Sequence, residues 1–444
     1  MQSKISAFLR IGPTAALLVL LSGIASQAQT SAPTKTFDSG KLNDHDAAIS
    51  GNPAATTFTT GTGLLGRTLG IKDEWGIKLG GLWLADTNLV AAGGAQPGGW
   101  TNNSALIVGL GIDANKLFDW RGAQFGFQFL QVNGANTNSQ AGSVQGYNGI
   151  MGLAPYNRSE LYQAWYLQEM VEDVLQMRIG RSVPTYDFNN VMRPLVFPDR
   201  ARNIASVSGL LYTPIFINAT MLGVLPGYYN PGDGVTVNFT PKTNLYLNLG
   251  VYDGNNARGV QSGLSPPQFN GYWFNIAEVG TNWLLGENKH PGQFAVGAWR
   301  QTGVLTGPGG ITQNDTGGVY LFGSQQIAFG LNKSVPDSSI SFFYQFGINN
   351  AKTLPVNQYY GAGFTAFALF GDRAQDSMGI GMALSKMNQN IFAQASELMF
   401  QAYYQAHVYS TIFLQPTVSY IPTPAAAPNL PGALALTMRL TVLF

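Results

Sequence analysis

The chain has 444 residues, with 24 Lys and Arg against 23 Asp and Glu, a net charge of +1. Charged residues make up only 11% of it, under half the ~25% of an ordinary soluble domain, so the usual water-facing surface is hard to build from it. The near-zero balance argues against a nucleic-acid partner, which favours a basic stripe, and the absence of cysteine excludes disulfides and thiolate metal sites. Glycine is abundant at 54 residues, alongside 26 Phe, 19 Tyr and 8 Trp.

In chain order, Lys4 and Arg10 precede the apolar run Ala15 to Ala25, followed by Ser26 and Ala28 at small-residue positions. This pattern predicts a secretory signal peptide over 1–28, cut after Ala28. The alternative, a membrane anchor, wants ~20 apolar residues, and the run is shorter. Residues 29–70 read as a leader poor in periodicity, and 71–444 as one β domain. From Glu74 onward, alternation with period two recurs. "WGIKLGGLW" puts Trp75, Ile77, Leu79, Gly81 and Trp83 on one face, and "QFGFQFLQ" puts Phe125, Phe127 and Phe129 opposite Gln124, Gly126 and Gln128. A hairpin follows at 235–251, with Val235, Val237 and Phe239 on one arm and Leu245, Leu247, Leu249 and Val251 on the other, joined by "PKTN". Ile340, Phe342, Tyr344, Phe346 and Ile348 share a face, as do Met378, Ile380, Met382 and Leu384. Leu398, Phe400, Ala402, Tyr404, Ala406 and Val408 oppose Glu397, Met399, Gln401, Tyr403, Gln405 and His407. The chain closes on "LALTMRLTVLF", whose even positions from Leu434 to Phe444 are all large and apolar.

Strict alternation marks strands with two different faces. These strands are long, roughly 9 to 12 residues against an ordinary 5–6, and that length suits a tilted bilayer crossing. A sheet in hydrocarbon must close on itself, because an open edge leaves backbone groups unpaired. The expectation is therefore an all-β, transmembrane antiparallel β-barrel whose low charge reflects a wall facing lipid. Seventeen candidate segments lie between Glu74 and Phe444. Single-chain bacterial barrels use even strand numbers. The weakest candidate, residues 208–221 with Pro214, is discounted, leaving sixteen strands and an aqueous channel. Short connectors such as 241–244 and 286–292 suit one rim; longer ones at 133–158, 183–207 and 253–272 suit the other, or fold inward. The aromatic at the last position fits an interfacial girdle.

No catalytic pattern accompanies the strands. Residues 61–66, "GTGLLG", fit G-x-G-x-x-G but lack the flanking strand and helix of a dinucleotide site. His45, His290 and His407 are far apart in sequence, so no metal site and no cofactor is expected. Outer-membrane phospholipases use Ser and His on the outer wall, whereas His407 falls on the inward face and no nucleophile motif goes with it. An enzyme is not expected. The polar residues point to a passage instead. In "VLQMRIGRS", Leu175, Met177 and Ile179 share a face, which turns Arg178 toward the lumen. Arg158, Glu160, Arg181 and Asp187 are near in sequence. They form either a mutually satisfied, solvated set or a constriction that filters small polar solutes by diameter and lining groups. Glu397, Gln401, Tyr403 and His407 complete the expected pore-lining set. Two rival readings are a structural or adhesive barrel with an occluded lumen and a secreted soluble sugar-binding β protein.

The order of several short motifs resembles the carbohydrate-selective porins of the OprB family. They are "NRSELYQAWYLQ" (157–168), "MRIGR" (177–181), "YDF" (186–188), "LGVYDGNN" (249–256), "FLQPTVSYIPTP" (413–424) and the closing "LTMRLTVLF". "LLGRTLG" (64–70) looks like a shortened form of the family's opening Trp-Gly-Gly-type motif. The resemblance implies a sixteen-stranded porin in the bacterial outer membrane passing monosaccharides such as glucose down their gradient, with lipids around it. It also implies that assembly machinery reads the strand ending in Phe444. Glu160, Arg178, Arg181 and Asp187 occupy motif positions and carry the family's charged eyelet by implication. Tyr246, Tyr252 and Tyr403 on the lumen face offer rings for sugar stacking, although tyrosine is common in such barrels.

Overall fold

The computed structural model describes residues 63–150, 157–172, 174–191, 209–212, 218–225, 230–259, 266–287, 290–336 and 338–444. The expected signal peptide and most of the leader lie outside these residues. A one-turn helix, α1 (Leu64–Thr68), leads into sixteen strands: β1 (Ile77–Ala92), β2 (Trp100–Asp113), β3 (Ala123–Asn133), β4 (Arg158–Val171), β5 (Leu175–Ser182), β6 (Gly232–Lys242), β7 (Leu245–Asp253) and β8 (Trp273–Leu285) form the first half. The second half is β9 (His290–Thr306), β10 (Thr312–Phe329), β11 (Ser339–Asn349), β12 (Val356–Phe367), β13 (Ser377–Met387), β14 (Ser396–Tyr409), β15 (Ile412–Ile421) and β16 (Ala433–Leu443). Each strand pairs with its neighbours in sequence, and β1 pairs with β16 to close the barrel. The discounted segment at 208–221 forms no strand over its described residues.

Alternation is visible strand by strand. On β15, Phe413, Gln415, Thr417, Ser419 and Ile421 are buried inside, while Leu414, Pro416, Val418 and Tyr420 are exposed outside. On β16, Leu436 and Met438 face outward while Ala435, Thr437, Arg439 and Thr441 are buried. The physical cause is that lipid meets one face and the barrel interior the other, and side chains on a strand alternate between them. Glycine serves the inner face where a neighbour's ring must lie flat on the sheet. The Tyr320 ring covers Gly297, where a Cβ would fall 2.2 Å from the ring.

The connectors divide by rim. β4–β5, β6–β7 and β14–β15 turn within two or three residues on the rim that also carries the start of β1 and the end of β16. The longest connectors, 134–157, 183–231 and 254–272, all leave from the opposite rim. The described residues of the first two reach into the interior. At the short-turn rim, Trp120 packs against Phe125 and Tyr166 at ring separations of 5.9 and 5.4 Å, as an interfacial aromatic girdle requires.

Closure uses the last residue. Gly81 N–H donates to the Phe444 carbonyl at 2.7 Å, and Phe444 N–H donates back to Gly81 at 2.9 Å. Along the same seam Asp86 sits directly opposite Arg439. Their bidentate pair, 2.7 Å at both contacts, is buried inside.

Candidate functional site

The interior is lined by polar residues of inward parity and by two loops that lie against the wall. Among the sequence-predicted residues, Arg158 and Glu160 are two apart on β4, hence on one face, and pair at 3.1 Å. Both are buried, and Arg158 also reaches Asn230 at 3.4 Å. Arg178 on β5 pairs with Asp187, which follows the turn Pro184–Tyr186. The Asp187 carbonyl is held by Asn248 on β7 at 2.8 Å. The Arg178 guanidinium lies 5.8 Å from the Trp165 ring centroid, within cation–π range. Arg178, Asp187 and Trp165 therefore form one cluster, and Arg158 with Glu160 a second on β4. Arg181 departs from the expected set. It shares strand parity with Ile179, which is exposed on the outside, and it pairs across the sheet with Asp233 at 3.1 Å. Gly180 intervenes at φ +123°.

The described residues of the loop 183–231 touch the inner wall at several strands. Asn189 N–H donates to Glu278 of β8 at 2.6 Å, and its amide donates to Gln345 of β11 at 2.9 Å. Farther on, Leu211 N–H donates to Gln401 of β14 at 2.6 Å, and Gln415 of β15 donates to the Gly209 carbonyl at 2.8 Å. The amide of Asn218 then donates to the Phe346 carbonyl at 3.0 Å, and that of Asn349 to Thr220 at 2.7 Å. Glu278 also accepts from the hydroxyls of Tyr246 at 2.9 Å and Tyr320 at 2.8 Å. The loop 134–157 sits on β1, β13 and β14. Asn148 donates to Asp86 at 2.7 Å and to Asn88 at 3.1 Å, and Gln401 donates to the Tyr147 carbonyl at 3.0 Å. Burial pushes the Tyr147 phenol up to about 12, so it stays neutral and serves as a hydrogen-bonding group toward Thr137 at 2.6 Å.

These contacts change the reading of several expected lining residues. Glu397 and Gln401 do face inward, but both are covered by the loops they hold. The Tyr403 ring is close-packed against Gly209 and Gly379. Tyr252 is fully buried, in T-shaped contact with Phe188 and with its hydroxyl 2.5 Å from Thr236, so it presents no ring face for stacking. His407 lies at the short-turn rim, where its Nε2 is 2.8 Å from the Ser410 carbonyl. Sequence reasoning missed Asp86, Glu278 and Arg439. The signal was available: each is a charge in mid-strand at inward parity, and a charge at membrane depth faces the interior and is held there by a partner. Among the described residues no group of His, Asp and Glu could hold a metal ion.

A closed sixteen-strand antiparallel barrel with an apolar outer band, a polar interior and loops folded into that interior defines an outer-membrane porin. The comparisons with known proteins agree. The family model described as carbohydrate-selective porin, OprB family, matches residues 99–444. Porin B of Pseudomonas aeruginosa is 22% identical over 409 residues, covering 79% of this chain and 83% of that one. The high-pH structure of Pseudomonas putida OprB superposes with a TM-score of 0.71 at 16% identity, covering 88% of this chain and all of the other. Its low-pH structure gives 0.52 at 15% identity, covering 85% and 96%. The chain belongs to the carbohydrate-selective porin, OprB family.

Proposed function

We infer that the protein is a passive channel for monosaccharides such as glucose and catalyses no reaction. The observation that carries this reading is the closed barrel with a polar inner face in a chain that the carbohydrate-selective porin, OprB family model matches. Of the expected filter residues, Arg178 and Asp187 keep 12% of each side chain exposed next to Trp165, while Arg158 and Glu160 are buried against each other. Fixed charges of both signs next to an aromatic ring can exchange hydrogen bonds with a polyol without binding it strongly, and passage requires entry and release to be comparably easy. A water-filled interior lowers the cost of moving sugar hydroxyls through hydrocarbon, where an unmet hydroxyl costs several kcal/mol. In this reading residues 1–28 direct export, lipids cover the outer band, and the assembly machinery reads the strand that ends in Phe444.

Liposome swelling tests the reading. Proteoliposomes should swell in isotonic glucose at a rate well above protein-free vesicles. Arg178→Ala leaves Asp187 and Glu160 behind, so the barrel should still assemble, the glucose rate should change, and the reversal potential in a salt gradient should move toward cation selectivity. Unchanged swelling and unchanged selectivity would remove Arg178 from the filter. An absence of swelling with the unaltered protein would favour an occluded, structural barrel.

A further inference from the structure

We propose that Glu397 is a latch that holds residues 134–150 of the loop after β3 inside the barrel and so sets the size limit of the passage. The inference rests on the porin reading for its effect on transport, but not for the latch itself. Glu397 sits near the start of β14 on its inward face and is fully buried. Among the described residues its carboxylate has no cationic partner. It accepts instead from the Ser143 hydroxyl at 2.5 Å, Val144 N–H at 2.9 Å, Gln145 N–H at 3.2 Å and Ala425 N–H at 2.9 Å. Three of these donors come from the loop after β3 and one from the loop before β16. One side chain thus ties two connectors to a third strand.

The surroundings reinforce the docking. The Gln145 amide donates to the carbonyls of Ala383 and Glu397, 3.3 Å each, and accepts from Ser385 at 2.7 Å. Ser143 in turn accepts from Gly146 N–H at 3.0 Å. Ala426 N–H donates to the Gly142 carbonyl at 3.0 Å, joining the two loops directly. A buried carboxylate is costly unless its oxygens are fully hydrogen-bonded, and here both are: Oε1 takes Ser143 and Gln145, Oε2 takes Val144 and Ala425. Neither oxygen can be exchanged for an amide nitrogen, because each faces at least one backbone N–H. Glu397→Gln therefore keeps the volume of the side chain and sets donor against donor in either orientation. The site is specific for two carboxyl oxygens over an amide, and Glu397 is a positioning residue for the passage.

The test compares the unaltered protein, Glu397→Gln and Ser143→Ala, each first shown to be assembled by heat-modifiable mobility on gels. Hydrogen exchange in micelles reads the latch, and swelling rates for a trisaccharide relative to glucose read the size limit. In Glu397→Gln, peptides covering 134–150 should exchange about tenfold faster or more, since charge-assisted bonds are lost locally, while strand peptides on β7–β11 keep their protection. The trisaccharide-to-glucose ratio should rise as the loop leaves the wall. General barrel instability would lower both sugar rates and raise exchange throughout, and would overturn the proposal, as would unchanged loop exchange or an unchanged ratio. Ser143→Ala removes one donor and leaves the backbone contacts, so it should show the same changes at smaller size; it decides the matter if Glu397→Gln does not assemble. If the unaltered protein passes no sugar, the porin reading fails while loop exchange still reports on the latch.

Discussion

A buried charge in this barrel is tolerable only where its neighbours complete its hydrogen bonds, and the seam shows how far that goes. Asp86 accepts from Nε and an Nη of Arg439 and from Asn148, so strand β1, strand β16 and the 134–157 loop meet at one carboxylate. Removing one partner of a buried, hydrogen-bonded pair costs about 3–5 kcal/mol because the other charge is stranded. Asp86→Asn should therefore lower the temperature at which the folded gel band converts to the unfolded one, and should do so without changing which residues face lipid. A transition temperature equal to that of the unaltered protein would mean the pair adds nothing to closure. Glu278 follows the same rule with two tyrosine hydroxyls and a backbone N–H as donors.

At the scale of the element, strands were legible in the sequence and loop docking was not. The even positions of β16 are apolar because one medium meets them all, and period two follows from strand geometry alone. The pairing of β1 with β16 brings Gly81 against Phe444, where a Cβ on residue 81 would fall 2.6 Å from the aromatic ring. Gly81→Val should thus overpack the seam, where its Cβ also meets the Ile107 carbonyl at 2.4 Å, at a cost of about 1–3 kcal/mol, and reduce the assembled fraction in refolding assays; an assembled fraction equal to the parent's would show that both the ring and the adjoining backbone give way. The loops carry no such period. Ser143, Gln145 and Asn148 look like any polar loop residues, and the partner of Ser143 is 254 positions away. Only the wall side offered a clue, in the few carboxylates and glutamines at inward parity. The pairs Arg178–Asp187 and Arg158–Glu160 were legible because their members are close in sequence. Arg181 was not, since its partner Asp233 lies beyond the long insertion.

For the whole molecule, the 11% charge content and the sixteen-strand closure have one cause. The outer wall meets hydrocarbon, where a charge at mid-depth costs about 2–4 kcal/mol, so ionisable groups are confined to rims, interior and loops. The interior keeps its charges by pairing them, as at Asp86, or by surrounding them with hydrogen-bond donors, as at Glu278 and Glu397, and it keeps its loops by tying them to the wall at Asp86, Glu278, Glu397 and Gln401. Such an arrangement fills part of the barrel from within. Conductance across a planar lipid bilayer tests this most directly. Adding the purified protein in detergent should produce discrete, uniform current steps that shift when a sugar is added to the bath. A bilayer that stays silent, with the protein shown to be folded and inserted, would contradict a passage through the barrel.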